Sequence, residues 1–317
     1  MVAELSTTPS AEAASTPPIQ EGSFCGPVSI KMAKFMKRFI FTTLIVVAAV
    51  SSALAQGAAG KWAKFDGNKI HYYDTGVAKG KTALVLVHGW TCSADFWSRS
   101  VNAFPQYRVI ALDLPGHGLS DKPKANYTME YFARSIDAVL KEAKVQKAVL
   151  AGHSMGTPVV RQYYRLFPQK TLGIVIVDGA LRPFATAAQM EKYVEPLRTD
   201  YKPNAAKMVD GMLAPMKNAD LKTWIRDAML ATPDFVALSA WSGMADDAIW
   251  GKDQIKVPVL TVLAAGQWPA DTEEFNHSIA PQQEFHMWTG VSHFLMMERP
   301  TEFNELVAAF ISKNKLL

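Results

Sequence analysis

The sequence is poor in cysteine and has no cluster of charge of one sign. Cys25 and Cys92 are its only two cysteines among 317 residues. The 33 Lys and Arg residues and the 29 Asp and Glu residues are intermixed, so there is no basic patch of the kind that binds nucleic acid. The His residues are scattered and lack metal-ligand spacing with Cys or carboxylate residues. No phosphate-binding glycine loop and no internal repeat occurs, and we expect neither a metal nor another cofactor.

The sequence also lacks an apolar run long enough to cross a bilayer comfortably. The run at residues 39–50 follows Lys37 and Arg38 and precedes the small residues Ala53 and Ala55. A basic start, about a dozen apolar residues and small residues at the end are the features of a secretory signal peptide. We therefore interpret residues 36–55 as a signal peptide that is cleaved before Gln56, and expect export without stable membrane insertion. An uncleaved anchor is the alternative.

Residues 1–35 are rich in Ala, Ser, Thr and Pro and show no apolar periodicity. This composition predicts an unstructured or untranslated leader. Cleavage would leave residues 56–317, which suffice for one large domain. Only Cys92 would then remain, which excludes an intramolecular disulfide and predicts a packed thiol.

Short apolar or β-branched runs alternate with helical patterns in most of residues 56–317. The first two runs flank Asp66-Gly67-Asn68 and predict a hairpin, and the others resemble strands that are covered on both faces. This alternation predicts an α/β fold with a mainly parallel central sheet flanked by helices, and with its functional loops at the carboxyl ends of the strands. The predicted strands are residues 61–65, 69–73, 82–87, 108–112, 147–150, 172–177, 257–263 and 284–288.

Residues 182–254 interrupt this alternation. They contain no strand-like run, and their helical segments carry many Met and Trp residues. We interpret this segment as a helical insertion, called the cap below, which joins the sixth and seventh strands and lies over the sheet.

The clearest chemical motif is Gly152-His153-Ser154-Met155-Gly156, between a predicted strand and a predicted helix. A Ser at such a turn is held in a strained backbone conformation, and flanking glycines avoid collisions with the neighbouring strand and helix. The amino terminus of the following helix favours developing negative charge. The motif predicts that Ser154 is a nucleophile.

A Ser nucleophile needs a base, because the pKa of its hydroxyl lies far above neutral. Of the seven His residues, His293 alone lies on the loop between the last predicted strand and the last predicted helix. From that loop its ring can reach the turn that carries Ser154. We predict that His293 is the base.

A tetrahedral intermediate also needs hydrogen-bond donors for its oxyanion. Gly89, in His88-Gly89-Trp90 after the third strand, lets the chain turn so that the backbone amide of Trp90 can lie beside that of Met155. The two backbone N–H groups are the predicted oxyanion hole, and His88 is predicted to hold the loop.

Together with the turn at residues 113–121, these motifs resemble the α/β-hydrolase superfamily over residues 60–317. The resemblance implies a structural role for the turn, and none in catalysis for Asp113 or His117. It also implies acyl transfer, because the dehalogenase and epoxide-hydrolase branches require Asp in place of Ser154. We expect a small-molecule carboxylic ester as substrate. Lactone, amide or carbon–carbon cleavage, a cofactor-free haloperoxidase-like reaction and a non-catalytic binding protein are the alternatives.

The sequence departs from the family in the third member of the triad. Family members commonly place an acid in a Gly-x-x-Asp turn after the seventh strand, where this chain has Gly266-Gln267-Trp268-Pro269. Asp178, at the end of the sixth strand, is the favoured replacement. Asp271 is the alternative, although the Thr-Glu-Glu that follows it is typical of a helix N-cap with a capping box.

Aromatic residues near these motifs predict an apolar substrate pocket. Phe96, Trp97 and Phe294 are the predicted lining residues, with Trp90, Met155 and the Met- and Trp-rich cap. Ordinary core packing is the alternative for each of these side chains.

Overall fold

The computed structural model describes residues 59–76, 80–183 and 186–317. The predicted leader and signal peptide, residues 1–55, lie outside the described residues. In the described part of the chain, no helix has both the length and the apolar character needed to cross a membrane.

Eight strands form one sheet in the order β1-β2-β4-β3-β5-β6-β7-β8. The pairs β1/β2 and β2/β4 are antiparallel, and all other pairs are parallel. The prediction of a mainly parallel sheet is confirmed. The strands are β1 (Ala59–Phe65), β2 (Asn68–Asp74), β3 (Thr82–Val87), β4 (Val109–Leu112), β5 (Lys147–His153), β6 (Thr171–Val177), β7 (Val259–Ala264) and β8 (Gln283–Trp288).

Helices flank this sheet, and their apolar faces complete its core. In the first helix the predicted apolar face of Phe132, Ile136, Val139 and Leu140 is buried. The described helices are α1 (Met129–Glu142), α2 (Gly156–Leu166), α3 (Ala187–Thr199), α4 (Tyr201–Met212), α5 (Ala219–Leu230), α6 (Asp234–Met244), α7 (Thr272–Ile279), α8 (Leu295–Glu298) and α9 (Pro300–Lys313).

The described residues of the cap contain α3, α4, α5 and α6 and no strand. The helical insertion between the sixth and seventh strands is therefore present as predicted. Its apolar residues are largely buried, and they include Val209, Ile225, Val236 and Ala240.

The turn at residues 113–121 is tied to the sheet by the carboxylate of Asp113, which is buried. It accepts hydrogen bonds from the backbone N–H groups of Ala94 at 2.7 Å and Leu119 at 3.0 Å, and contacts Nδ1 of His71 at 2.8 Å. Burial alone would raise the pKa of Asp113, but these hydrogen bonds outweigh it and lower the pKa. The carboxylate of Asp113 therefore has a structural role, in which it connects the turn to β2 and to the segment after β3.

A single guanidinium joins the two ends of the cap. The Arg161 side chain is buried; its Nη1 donates to the carbonyl of Leu181 at 2.7 Å, and its Nη2 donates to the carbonyls of Gly251 and, at 3.3 Å, Asp253. Burial and the nearby Arg165 lower the pKa of Arg161 to about 10, so the group is still charged at neutral pH. Leu181 precedes the cap and Gly251 lies at its end, so Arg161 holds both.

We predict that Arg161→Met lowers the free energy of unfolding by about 2–4 kcal/mol, because the buried carbonyl of Leu181 loses its donor and the link between the two ends of the cap is lost. Urea titration followed by tryptophan fluorescence measures the loss. Arg134→Met is the control, since Arg134 is exposed and its ion pair among the described residues is with Glu130 on the same helix, a contact that contributes less than about 1 kcal/mol. Equal stability of the two variants would contradict the role of Arg161.

Candidate active site

Ser154 lies at the junction between β5 and α2 and has a φ of +54°. This left-handed conformation is uncommon for a residue with a side chain. The backbone N–H of Ser154 donates to the carbonyl of Val177 at 2.9 Å, and its own carbonyl accepts from the N–H of Thr157 at 2.9 Å. The hydrogen bonds on both sides hold the strained turn in place.

The two glycines of the serine motif allow the close packing around this turn. A Cβ on Gly152 would overlap the carbonyl of Gly156, and a Cβ on Gly156 would overlap the carbonyl of Val87 on the neighbouring strand. The collisions that the sequence predicts for larger side chains are therefore present in the structure.

Asp178 is the candidate carboxylate that meets His293. Its Oδ2 lies 2.6 Å from Nδ1 of His293, and the Asp178 side chain is fully buried. Asp271 instead forms a bidentate ion pair with Arg182, with Oδ2 2.9 Å from Nη1 and Oδ1 2.5 Å from Nη2. The structure brings together Ser154, His293 and Asp178 on one cavity.

The expected capping box at Asp271 is wrong in detail. Asp271 does occupy the N-cap position of α7, but its side chain makes no capping hydrogen bond. The carboxylate has turned toward Arg182, because a charged guanidinium with two parallel donors is a stronger partner than a helix amide.

Three donors besides His293 converge on Asp178. Its Oδ1 accepts from the backbone N–H of Ala264 at 2.7 Å and from Nε1 of Trp268 at 3.1 Å, and its Oδ2 accepts from Nε2 of Gln267 at 2.6 Å. Gln267 and Trp268 belong to the very loop in which family members commonly carry the acid. The sequence analysis missed both residues, although they are the side-chain donors within Gly266-Gln267-Trp268-Pro269.

His153 holds the loop that carries His293. Its Nε2 lies 2.8 Å from the carbonyl of His293, and since a carbonyl only accepts, Nε2 must carry the proton. Burial and the neighbouring His293 lower the pKa of His153 well below its usual value. The ring is therefore neutral, and its role is to fix the backbone of the His293 loop above the serine turn.

The two residues that carry the predicted oxyanion donors lie on the same cavity. Trp90 and Met155 both line it, and neither backbone N–H donates to a carbonyl in the described turns and loops. His88 accepts a hydrogen bond from the N–H of Leu114 at 3.0 Å, and its other ring nitrogen donates to the carbonyl of Gly89 at 2.8 Å. His88 thus joins two loops, which is the structural role expected of it.

The cavity has a volume of about 400 Å³. Aromatic and sulfur-containing side chains of the cap and of the loop after β7 contribute to its wall. They are Met212, Trp241, Met244, Trp250 and Trp268. A larger surface groove between β1 and α1 contains none of the predicted catalytic residues.

Phe96, Trp97 and Phe294 do not line this cavity, which corrects the predicted pocket. All three are buried. Phe96 packs 5.7 Å from Phe294 and 5.0 Å from Trp224, while Trp97 packs 6.1 Å from Phe303, as measured between ring centroids. The short helical turn Ala94–Trp97 packs against α8, so these rings are used for core packing.

Cys92 is buried, and burial raises the pKa of its thiol. In the part of the chain that the structure describes, no group of three or more His, Cys, Asp or Glu residues could hold a metal ion.

The family model of the α/β-hydrolase fold matches residues 82–227. This match agrees with the sheet order, the serine turn and the site. The chain has the fold of the α/β-hydrolase superfamily.

Among curated proteins, this chain is similar to the dihydrolipoyllysine-residue acetyltransferase component of the acetoin cleaving system of Pseudomonas putida. The two are 36% identical over 127 residues, which cover 40% of this chain and 34% of the relative, so the match spans about a third of that protein. This chain is also similar to a 2-hydroxy-6-oxononadienedioate/2-hydroxy-6-oxononatrienedioate hydrolase of Paraburkholderia phymatum. The two are 27% identical over 270 residues, which cover 77% of this chain and 91% of the relative.

A solved thermophilic esterase has a similar structure, with a TM-score of 0.67 and 27% sequence identity. The alignment covers 81% of this chain and 98% of the esterase. These similarities support a hydrolase function for the chain.

We predict that Asp178→Asn lowers kcat for hydrolysis by about four orders of magnitude, because the amide cannot stabilise a protonated imidazole and favours the wrong tautomer. Asp271→Asn is the matched control and changes kcat less than about threefold, since Asp271 contacts Arg182 rather than His293. Steady-state kinetics of both variants measures the difference. A larger loss in Asp271→Asn would assign the acid to the other carboxylate.

Proposed function

We propose that this protein is an exported serine hydrolase that cleaves carboxylic esters of small, fairly apolar molecules through an acyl-enzyme. The observation that carries the proposal is the 2.6 Å contact between His293 and the buried Asp178 on the cavity that also contains Ser154. Nucleophile, base and orienting carboxylate are the three parts that this chemistry requires.

In the first half of the reaction, Oγ of Ser154 attacks the ester carbonyl carbon while His293 takes the hydroxyl proton through Nε2. The backbone N–H groups of Trp90 and Met155 donate to the resulting oxyanion. His293 then gives the proton to the leaving alcohol, and the acyl group stays on Ser154. Asp178 stabilises the imidazolium throughout.

In the second half, water attacks the acyl-Ser154 ester and His293 accepts a proton from that water. Collapse of the second tetrahedral intermediate returns this proton to Oγ of Ser154 and releases the carboxylic acid. No cofactor takes part in this proposal.

The wall of the cavity supports an apolar acyl or alcohol group, because several Trp and Met side chains line it. Similarity to the thermophilic esterase favours an ester as the scissile group. Similarity to the hydrolase of Paraburkholderia phymatum supports hydrolysis, and cleavage of a carbon–carbon bond by the same residues is the second candidate reaction.

We predict turnover of p-nitrophenyl esters by the purified chain from Gln56 onward, and covalent labelling of Ser154 by a fluorophosphonate. Ser154→Ala abolishes both, because the nucleophile is lost. Release of p-nitrophenol and mass spectrometry of the labelled peptide are the measurements.

Ser242→Ala is the control for this experiment, since Ser242 is an exposed residue of α6 whose hydroxyl bonds to the backbone carbonyl of Leu238. Labelling without ester turnover would favour an amide, a lactone, a carbon–carbon bond or a haloperoxidase-like reaction. Absence of both would favour the non-catalytic binding protein.

Export of the protein is the second part of the proposal, and it depends on the signal peptide at residues 36–55. We predict that expression from Met36 in a Gram-negative host yields a periplasmic or secreted product that begins at Gln56, as measured by amino-terminal sequencing. Ala55→Arg removes the small residue that signal peptidase needs and blocks cleavage. A cytoplasmic product that retains Met36 would contradict export, and an uncleaved membrane-bound product would favour the anchor.

A further inference from the structure

Asn276 is a polar side chain of the cavity that has no hydrogen-bond partner among the described residues. Asn276 lies on α7, is 2% exposed and lines the cavity that contains Ser154. No described residue forms a hydrogen bond with its side-chain amide. Its backbone carbonyl accepts from Ala280 in the ordinary helical way, so the side chain alone is left free.

The neighbouring polar groups on this wall are already used. The amide nitrogen of Gln267 donates to Asp178 at 2.6 Å, and the hydroxyl of Thr272 donates to the carbonyl of Pro269 at 2.7 Å. A buried amide without a partner is unfavourable, and a ligand that supplies the missing hydrogen bond gains affinity. A polar group on a bound molecule would therefore add most to its affinity if it formed a hydrogen bond with Asn276.

The charges of the cavity favour an uncharged polar group. Asp178 accepts from four donors, so its lone pairs are occupied. Arg182 also lines the cavity, but both of its terminal nitrogens bond to Asp271, and its guanidinium lies 4.7 Å from the ring of Phe275. The carboxylate of Asp178 is thus fully hydrogen-bonded and Arg182 is paired with Asp271, so a charged ligand would lack a free counter-ion on this side.

The geometry points to a polar subsite at Asn276. We propose that the substrate is an uncharged ester that carries a second hydrogen-bonding group, such as a ketone, hydroxyl or amide, on the part of the molecule that reaches α7. The tryptophan side chains enclose the apolar body between this group and the scissile ester. This inference rests on the proposed esterase function and adds the substrate class.

The test uses matched pairs of p-nitrophenyl esters in which one methylene of the acyl chain is replaced by a carbonyl. Pentanoate is compared with 4-oxopentanoate and heptanoate with 6-oxoheptanoate, so that two depths of the cavity are sampled. We expect wild type to prefer the oxo ester of one pair by about tenfold in kcat/KM, the size of one hydrogen bond to a buried group. In Asn276→Leu this preference disappears, while kcat/KM for the plain ester stays within about threefold.

Thr272→Val is the matched control, because Thr272 lines the same cavity but its hydroxyl is already bonded. It keeps the preference for the oxo ester. Ser154→Ala measures spontaneous hydrolysis, which is subtracted. The subsite would be contradicted if wild type shows no preference in kcat/KM for an oxo ester, or if Asn276→Leu keeps that preference. Neither outcome contradicts the proposed esterase function. If wild type turns over neither plain nor oxo esters above the Ser154→Ala background, the proposed function fails and the subsite with it.

Discussion

The buried carboxylate of Asp178 is the interaction on which the rest of the site depends. A buried carboxylate is costly unless its lone pairs are bonded, and here donors from three places supply those bonds: the end of β7 at Ala264, the loop with Gln267 and Trp268, and His293 after β8. One side chain at the end of β6 therefore orders the two loops that follow β7 and β8. Because Asp178 itself has a φ of +43°, the backbone at this point is also strained and depends on the same bonds to stay in place.

The order of the strands explains how the proposed acid, Asp178, can lie after β6 when family members commonly place the acid after β7. The two strands are adjacent and parallel, and Val177 pairs with Val262. Their carboxyl ends therefore lie at the same edge of the sheet, within reach of the same histidine. With Pro269 in the usual acid position, the loop after β7 cannot supply a carboxylate there, and it supplies the donors Gln267 and Trp268 instead. The loop therefore holds the proposed acid by hydrogen bonds from Gln267 and Trp268.

The parts that could be predicted are those with a local signal. The eight strands are predicted by short apolar runs. The serine turn is predicted by Gly152 and Gly156, because a side chain at either position would collide with backbone atoms that are close in sequence or on the adjacent strand. The partner of His293 had no such signal, because Asp178 and Asp271 both lie near strand ends and only the fold decides which one faces the ring. The same limit applies to Phe96, Trp97 and Phe294, since an aromatic residue near a catalytic motif can point to the cavity or to the core. Their burial was decided by packing against Trp224 and Phe303, far away in sequence.

The cap is connected to the proposed oxyanion hole through one residue. The indole of Trp90 donates to the carbonyl of Ala237 on α6 at 2.8 Å, while the backbone N–H of the same residue is the proposed oxyanion donor. Arg161 fixes the ends of the cap to α2, the helix that begins directly after the serine turn. The cap contributes Met212, Trp241, Met244 and Trp250 to the wall of the cavity. In the proposed reaction, a wall that limits the access of water strengthens hydrogen bonds within the cavity. The proposed subsite at Asn276 depends on the same condition, because in open solvent water would satisfy the amide equally well. For the proposed function, the position of the cap therefore bears on both the stabilisation of the reaction and the recognition of the substrate.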